Sequence, residues 1–245
     1  MKKTILFIGI LFCCCFLMAN PQNPNNNSMS NENRRVFVGL SFGPTADWLV
    51  AVKDSTRSKA KTGFITGINT DISLTKKRIF YISTGLLFRY LQCEYSFRNL
   101  YSFNIKDTSI IYSTVRTYQT MYLTIPTGVR IRTAPSNGCV FSAKTGLYHN
   151  FKIVGNQFDS FKFEEQPEYN LTTKKEKNID AVLFAESIYV GLGFEYVLKN
   201  NSRAFINVDY SCQFNYFSSK AKSNISDNRF KGIIHSLHIV FGFMF

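Results

Sequence analysis

The sequence predicts an all-β fold: an eight-stranded antiparallel up-and-down transmembrane β-barrel with short periplasmic turns and long extracellular loops. Three observations lead there. From Arg35 to Phe245, apolar residues alternate with polar or small ones in eight successive runs, which is the period of strands and not of helices. The connections between runs are alternately short and long. Glycines and charges share one face of the runs, and apolar side chains fill the other.

Composition agrees. The 245 residues carry 29 Lys+Arg against 16 Asp+Glu, a formal charge of +13, and a 45% hydrophobic content excludes a disordered polyelectrolyte. The 24 Phe and 13 Tyr favour strands. Only residues 4–19 are long and uncharged, so a helical membrane bundle is excluded. That stretch follows Lys2-Lys3 and ends at the small Ala19, the layout of a cleaved secretory signal peptide over residues 1–19. The alternative is an uncleaved anchor, for which the apolar core is short against a ~20-residue span. Residues 20–34, rich in Asn, Ser and Pro, read as a disordered leader, and residues 35–245 as the barrel. Cys93, Cys139 and Cys212 lie too far apart for a zinc or redox motif and read as small apolar side chains.

The eight runs follow in order. Residues 36–44 set Val36, Val38, Leu40 and Phe42 against Gly39, Ser41 and Gly43. Residues 62–73 set Phe64, Ile68 and Ile72 against Gly63, Gly67, Asn69 and Asp71. Residues 79–97 oppose Phe80, Ile82, Leu86, Phe88 and Tyr90 to Ser83, Gly85 and Arg89. Residues 117–132 oppose Met121, Leu123, Ile125, Val129 and Ile131 to Tyr122, Thr124, Gly128, Arg130 and Arg132. Residues 139–154 oppose Phe141, Leu147, Phe151 and Ile153 to Ser142, Lys144, Gly146 and Asn150. Residues 181–198 oppose Ile188, Val190, Leu192, Phe194 and Tyr196 to Ser187, Gly191, Gly193 and Glu195. Residues 204–217 oppose Ile206, Val208, Tyr210, Phe214 and Tyr216 to Asn207, Asp209, Ser211 and Gln213. Residues 232–245 oppose Ile233, Leu237, Ile239, Phe241, Phe243 and Phe245 to Ser236, His238 and Gly242. Short links fall at 74–78, 133–138 and 199–203, and the second of these is a Pro-Ser-Asn-Gly turn. Long links fall at 46–61, 98–116, 155–180 and 218–231.

Alternation alone does not say which face meets lipid, because a soluble lipocalin-like barrel carries its apolar face inside. Glycine position separates the two. An eight-stranded bore has room only for packed side chains, so small residues belong inside it. The glycine-rich face also carries Asp71, Arg89, Arg130, Arg132, Lys144, Glu195 and Asp209, which could pair across a bore but would cost about 2–4 kcal/mol for each Arg or Lys facing lipid at mid-membrane. Three polar residues break the pattern: Glu186, His149 and His235 lie on the apolar parity, near the loop ends of their strands, with Glu186 expected above the membrane. Tyr90, Phe151, Phe184 and Tyr216 fit an outer aromatic girdle; Phe80, Phe194, Tyr196, Phe243 and Phe245 fit an inner one.

Tyr122-Leu123-Thr124-Ile125-Pro126, followed by Val129-Arg130, is similar to the Tyr-Leu-x-Ile-Pro strand of the PorT-like outer-membrane β-barrel proteins of Bacteroidetes. Thr124 stands where that family often has an acid. The final strand, with Phe241, Phe243 and Phe245, resembles the signature read by the barrel assembly machinery. The resemblance implies an eight-stranded barrel of the OmpA/OmpX kind in a Gram-negative outer membrane, with no shared catalytic residues.

Signals for chemistry are sparse, and no enzyme, cofactor or metal site is expected. Ser236 and His238 share a face and could touch, which is two parts of a nucleophilic site. Glu164, Glu165 and Glu168 read as a solvated loop. Lys220, Lys222 and Arg229 make the fourth long link basic, suited to an anionic glycolipid or glycan, whereas nucleic acid is not expected behind a signal peptide. Function is expected to be structural, adhesive or envelope-related, with outer-membrane lipid as surroundings and a bore plugged by charge; a small channel or a lipid-modifying barrel enzyme are the alternatives.

Overall fold

The structure, a computed structural model, describes residues 35–51, 57–75, 78–103, 108–163, 171–172, 176–177, 181–198, 202–217 and 232–245. The expected signal peptide and leader, the acidic cluster at Glu164, and Lys220, Lys222 and Arg229 lie outside the described residues.

The strands are β1 (Val36–Ala51), β2 (Arg57–Ser73), β3 (Phe80–Phe103), β4 (Thr108–Arg132), β5 (Cys139–Phe163), the two-residue β6 (Leu171–Thr172) and β7 (Glu176–Lys177), then β8 (Phe184–Val197), β9 (Arg203–Gln213) and β10 (Gly232–Met244). Eight of them close into a cylinder. Each pairs antiparallel with its neighbours in the order β4-β3-β2-β1-β10-β9-β8-β5, and β4 pairs with β5 to seal the ring. β6 and β7 add short ladders to β5 above that ring. The expected eight-stranded antiparallel barrel is therefore the fold.

The tight end is built by local turn chemistry. At the β4–β5 hairpin, Asn137 (φ 50°) and Gly138 (φ 79°) take left-handed backbone conformations, and Ser136 and Cys139 exchange two backbone hydrogen bonds of 2.9 Å. Such turns favour Asn-Gly because each central residue needs positive φ. At the other end the strands run well past what a membrane requires. β3, β4 and β5 have 24, 25 and 25 residues, against ~9–11 for one crossing. This corrects the expected long links at 46–61, 98–116 and 155–180, since much of that sequence is wall. Alternation simply continues in β1, with Thr45, Asp47 and Leu49 inward and Trp48 and Val50 on the outer side. In β5 a register shift opposite Met121 and Tyr122 changes the parity, and this hides the continuation from a period-two reading.

The wall is apolar outside and polar inside. Val190, Leu192 and Phe241 are 51%, 71% and 39% exposed on the outer surface, whereas Arg89, Arg130 and Asp209 are 3%, 3% and 1% exposed in the bore. Glycine is needed where side chains cross the bore: a Cβ on Gly191 would come within 2.0 Å of Asp209 Oδ1, and one on Gly242 within 2.2 Å of the Phe205 ring. Two prolines interrupt the wall. The β1–β10 ladder is interrupted between Phe42↔Phe241 and Thr45↔His238, beside Pro44, and the β3–β4 ladder between Thr84↔Thr127 and Leu87↔Thr124, beside Pro126, with the register kept across both gaps. Proline has no N–H to give to a ladder.

Replacing Val190 by Arg puts a cation on the outer wall at mid-height. Denaturant titration of the protein folded in lipid vesicles is expected to show a loss of about 2–4 kcal/mol, with little change for Val190→Leu.

Candidate functional site

The bore is the site that the residues build. Its floor lies at the tight end. Arg132 at the end of β4 donates to Asp71 (2.5 Å) on β2 and to Glu195 (2.8 Å) on β8. Arg130 reaches the same two carboxylates at 3.1 and 3.3 Å, and Arg203 on β9 holds the other oxygen of Glu195 at 3.0 Å. Ser83 donates to Asp71 as well. Arg132 lies over the Tyr81 ring (4.2 Å) and Arg203 over Phe37 (4.7 Å), so aromatic faces cover the cations from below. At mid-height Lys144 meets Asp209 at 2.7 Å, and Tyr148 stacks on Tyr189 (4.2 Å) and on His238 (5.7 Å). Above them Arg89 pairs with Asp47 at 2.8 Å and also donates to Ser236. The roof is apolar: Leu49, Leu91, Cys93, Tyr95, Tyr118, Tyr122, Ala181, Phe217 and Ile234 form one buried cluster, with Phe217 edge-on to Tyr118 at 5.0 Å.

All seven charges singled out from the sequence stand inside the bore, and the structure brings them into three groups: Asp71, Arg130, Arg132 and Glu195 together, Lys144 with Asp209, and Arg89 apart from both. Sequence reasoning missed Asp47, the partner of Arg89, because it ended the first strand too early. It also missed Arg203, which begins β9, and Tyr81, Tyr148 and Tyr189, whose parity marks them as inward. One small void lies beside Arg130, Lys144 and Asp209 and another beside Arg89, Ser211 and Ser236, each with room for about one or two waters. Orphaned buried atoms such as Arg130 Nε, Arg89 Nε and Asp209 Oδ1 lie in these layers. Among the described residues no group of three His, Cys, Asp or Glu could hold a metal.

The Ser236–His238 contact does not form. Ser236 accepts from Arg89, while His238 Nε2 lies 3.3 Å from Ser211 on the neighbouring strand. Ser211 lies directly opposite Ser236 and diagonally across from His238, so the imidazole turns toward the neighbouring strand and not along its own. Thr124 donates to Asn150 Oδ1 at 2.8 Å within the wall of the bore.

The outer-wall exceptions are also partnered. His235 stacks on Trp48 (5.9 Å) and receives the Tyr210 hydroxyl at 2.6 Å. His149 Nδ1 lies 3.2 Å from Glu186 Oε1, and its Nε2 lies 3.0 Å from Thr127 Oγ1. Glu186 does not rise above the girdle. β8 descends from Phe184, so Glu186 sits one outward-facing position closer to the membrane centre than the paired rings of Phe151 and Phe184 (5.0 Å). Phe241 lies against Phe42 (6.1 Å) and Phe243 against Phe245 (4.8 Å) on the closing strand.

A family model described as an outer membrane protein beta-barrel domain matches residues 21–185. The chain belongs to that family. Among solved structures it is similar to Ail, the attachment invasion locus protein of Yersinia pestis (11% identity, 86% of this chain and 100% of that one, TM-score 0.35). It is also similar to OprG from Pseudomonas aeruginosa (10%, 86% and 95%, TM-score 0.41) and to Neisserial surface protein A (9%, 86% and 96%, TM-score 0.38). Comparison with curated proteins gave no match.

Two outcomes follow from this outer membrane barrel's bore. Glu195→Ala strips three arginines of a shared partner, so unfolding in lipid should become easier by about 3–5 kcal/mol, measured by denaturant titration. In the roof, beyond the girdle, burial pushes the Tyr118 phenol up to about 12, with the Arg116 charge opposing. A phenol whose pKa rises on folding stabilises the folded form below its ordinary value of about 10 and loses that contribution as pH climbs to the folded value. Stability should therefore fall between pH 10 and about 12 in step with tyrosinate absorbance, and less steeply in Tyr118→Phe.

Proposed function

We propose that this is a non-conducting outer-membrane barrel of a Gram-negative envelope, exported by a cleaved signal peptide, with a structural or adhesive role carried by the strands and loops that project from its long end. The observation that carries this reading is the filled bore: among the described residues, ion-paired layers from Asp71 to Arg89 lie under an apolar roof at Phe217. Layers packed in this way leave little room for a solute to pass. The tight turns and both described chain ends then lie in the periplasm, and the projecting β3–β4–β5 ribbon faces outward.

The strand motif at Tyr122–Pro126 supports a PorT-like assignment within the family, and the outward aromatics Phe241, Phe243 and Phe245 support delivery by the barrel assembly machinery. The basic link with Lys220, Lys222 and Arg229 supports contact with an anionic glycolipid or glycan. Outer-membrane lipid surrounds the apolar wall.

Planar bilayers decide between this reading and a channel. The folded protein is expected to give no conductance steps, while Phe217→Gly combined with Arg89→Ala should open brief ones. Steady conductance from the unaltered protein would make it a channel.

A further inference from the structure

We infer that the outer wall carries an acyl-transfer site, formed by Thr127, His149 and Glu186 and directed at the ester bond of an outer-leaflet lipid. This rests on the reading that the wall faces lipid and goes beyond it, by giving that wall chemistry.

The three side chains come from adjacent strands β4, β5 and β8 and form one chain of hydrogen bonds on the outside of the barrel. A carboxylate only accepts, so His149 donates from Nδ1 to Glu186 Oε1 (3.2 Å). In the neutral imidazole Nε2 is then the acceptor, and the Thr127 hydroxyl, 3.0 Å away, is placed to donate to it. A hydroxyl on the unprotonated imidazole nitrogen, with a carboxylate fixing the tautomer, is the arrangement of nucleophile, base and orienting group that recurs on unrelated folds. Within the structure it contrasts with Ser236 and His238, which are buried in the bore and separately engaged. Thr127 is exposed, and the Glu186 side chain is 41% exposed.

Depth fixes the substrate class. His149 stands ten positions up β5 from Cys139, which on a tilted strand is a rise of about 25 Å, the height of the apolar band. Above the group lie Phe151 and Phe184, aromatic rings of the kind found at headgroup level; below it Ile188 and Val190 offer acyl-chain contact. A lipid lying against this wall places its ester linkages, between headgroup and chains, beside Thr127.

The step balances with water as the co-reactant. Thr127 Oγ attacks the ester carbon as His149 Nε2 takes its proton. The C–O bond to the lipid alcohol breaks, and that alcohol leaves with the proton from His149. Water, deprotonated by the same nitrogen, then cleaves the acyl-threonine, giving a free fatty acid and restoring the hydroxyl. Thr127 is in register with strands on both sides, so its backbone is committed to ladders. Turnover should be slow, lacking the factor of about 10²–10³ that one dedicated oxyanion donor supplies.

The test uses the full chain folded into vesicles, with heat-modifiable gel migration showing that each sample is folded. One set of vesicles contains phosphatidylethanolamine alone and a second also contains lipid A. Free fatty acid is read by mass spectrometry, and Thr127 is probed with a long-chain fluorophosphonate. Release of fatty acid and an adduct on Thr127 are expected, with both lost in Thr127→Val and His149→Ala, at least tenfold slower release in Glu186→Gln, and activity kept in Thr127→Ser. The set that releases acid identifies the lipid. Folded protein that releases no acid from either set and takes no adduct overturns the inference, whereas a chain that does not enter vesicles at all fails the membrane reading instead.

Discussion

Eight strands leave a bore about as wide as the side chains that fill it, and the rest of the structure answers to that width. Little bulk water can enter, so a charge placed inside must find its opposite within the protein or be left unpaired at high cost. The floor shows the solution. Two carboxylates, Asp71 and Glu195, are shared among Arg130, Arg132 and Arg203, and the planar guanidinium groups of Arg132 and Arg203 lie on aromatic faces. Because the partners come from β2, β4, β8 and β9, the ion pairs tie across the cylinder where backbone ladders tie only around it. The same narrowness explains the glycines: Asp209 reaches Lys144 only because Gly191 yields its place.

Most of this architecture was legible in the sequence. Parity set Val190 and Asp209 on opposite kinds of face, and the glycines and charges gathered on one of them marked it as the inside. Strand ends were less legible. Asp47 looked like the start of a loop because a charge after Pro44 resembles a turn, and only its distant partner Arg89 shows why it belongs inside. The register shift in β5 inverts parity, and a single strand read alone cannot reveal it. The triad-like chain on the outer wall was visible only as exceptions. His149 and Glu186 were noted as misfits; that they meet each other and Thr127 depends on the stagger between three strands, which no local pattern encodes.

The roof differs in kind from the layers beneath it. Phe217, Ala181 and Ile234 stand where the chain enters or leaves the long links, and Phe217 is bound at its backbone to both Val182 and Gly232. The loop bases are thus part of the hydrophobic seal, and the seal persists without charge. The barrel is closed by ion pairs at one end and by rings at the other, and because those ion pairs are buried, salt screens them little.

Pro126, the last residue of the motif in β4, and Pro44 in β1 each leave one seam of the cylinder short of a backbone bond, and the two seams divide it into unequal staves: β1, β2 and β3 on one side, β4, β5, β8, β9 and β10 on the other. The register is the same on both sides of each gap, so the pairs above and below it hold each seam in line. The motif's proline therefore marks a point where the strand is laddered to β5 and not to β3.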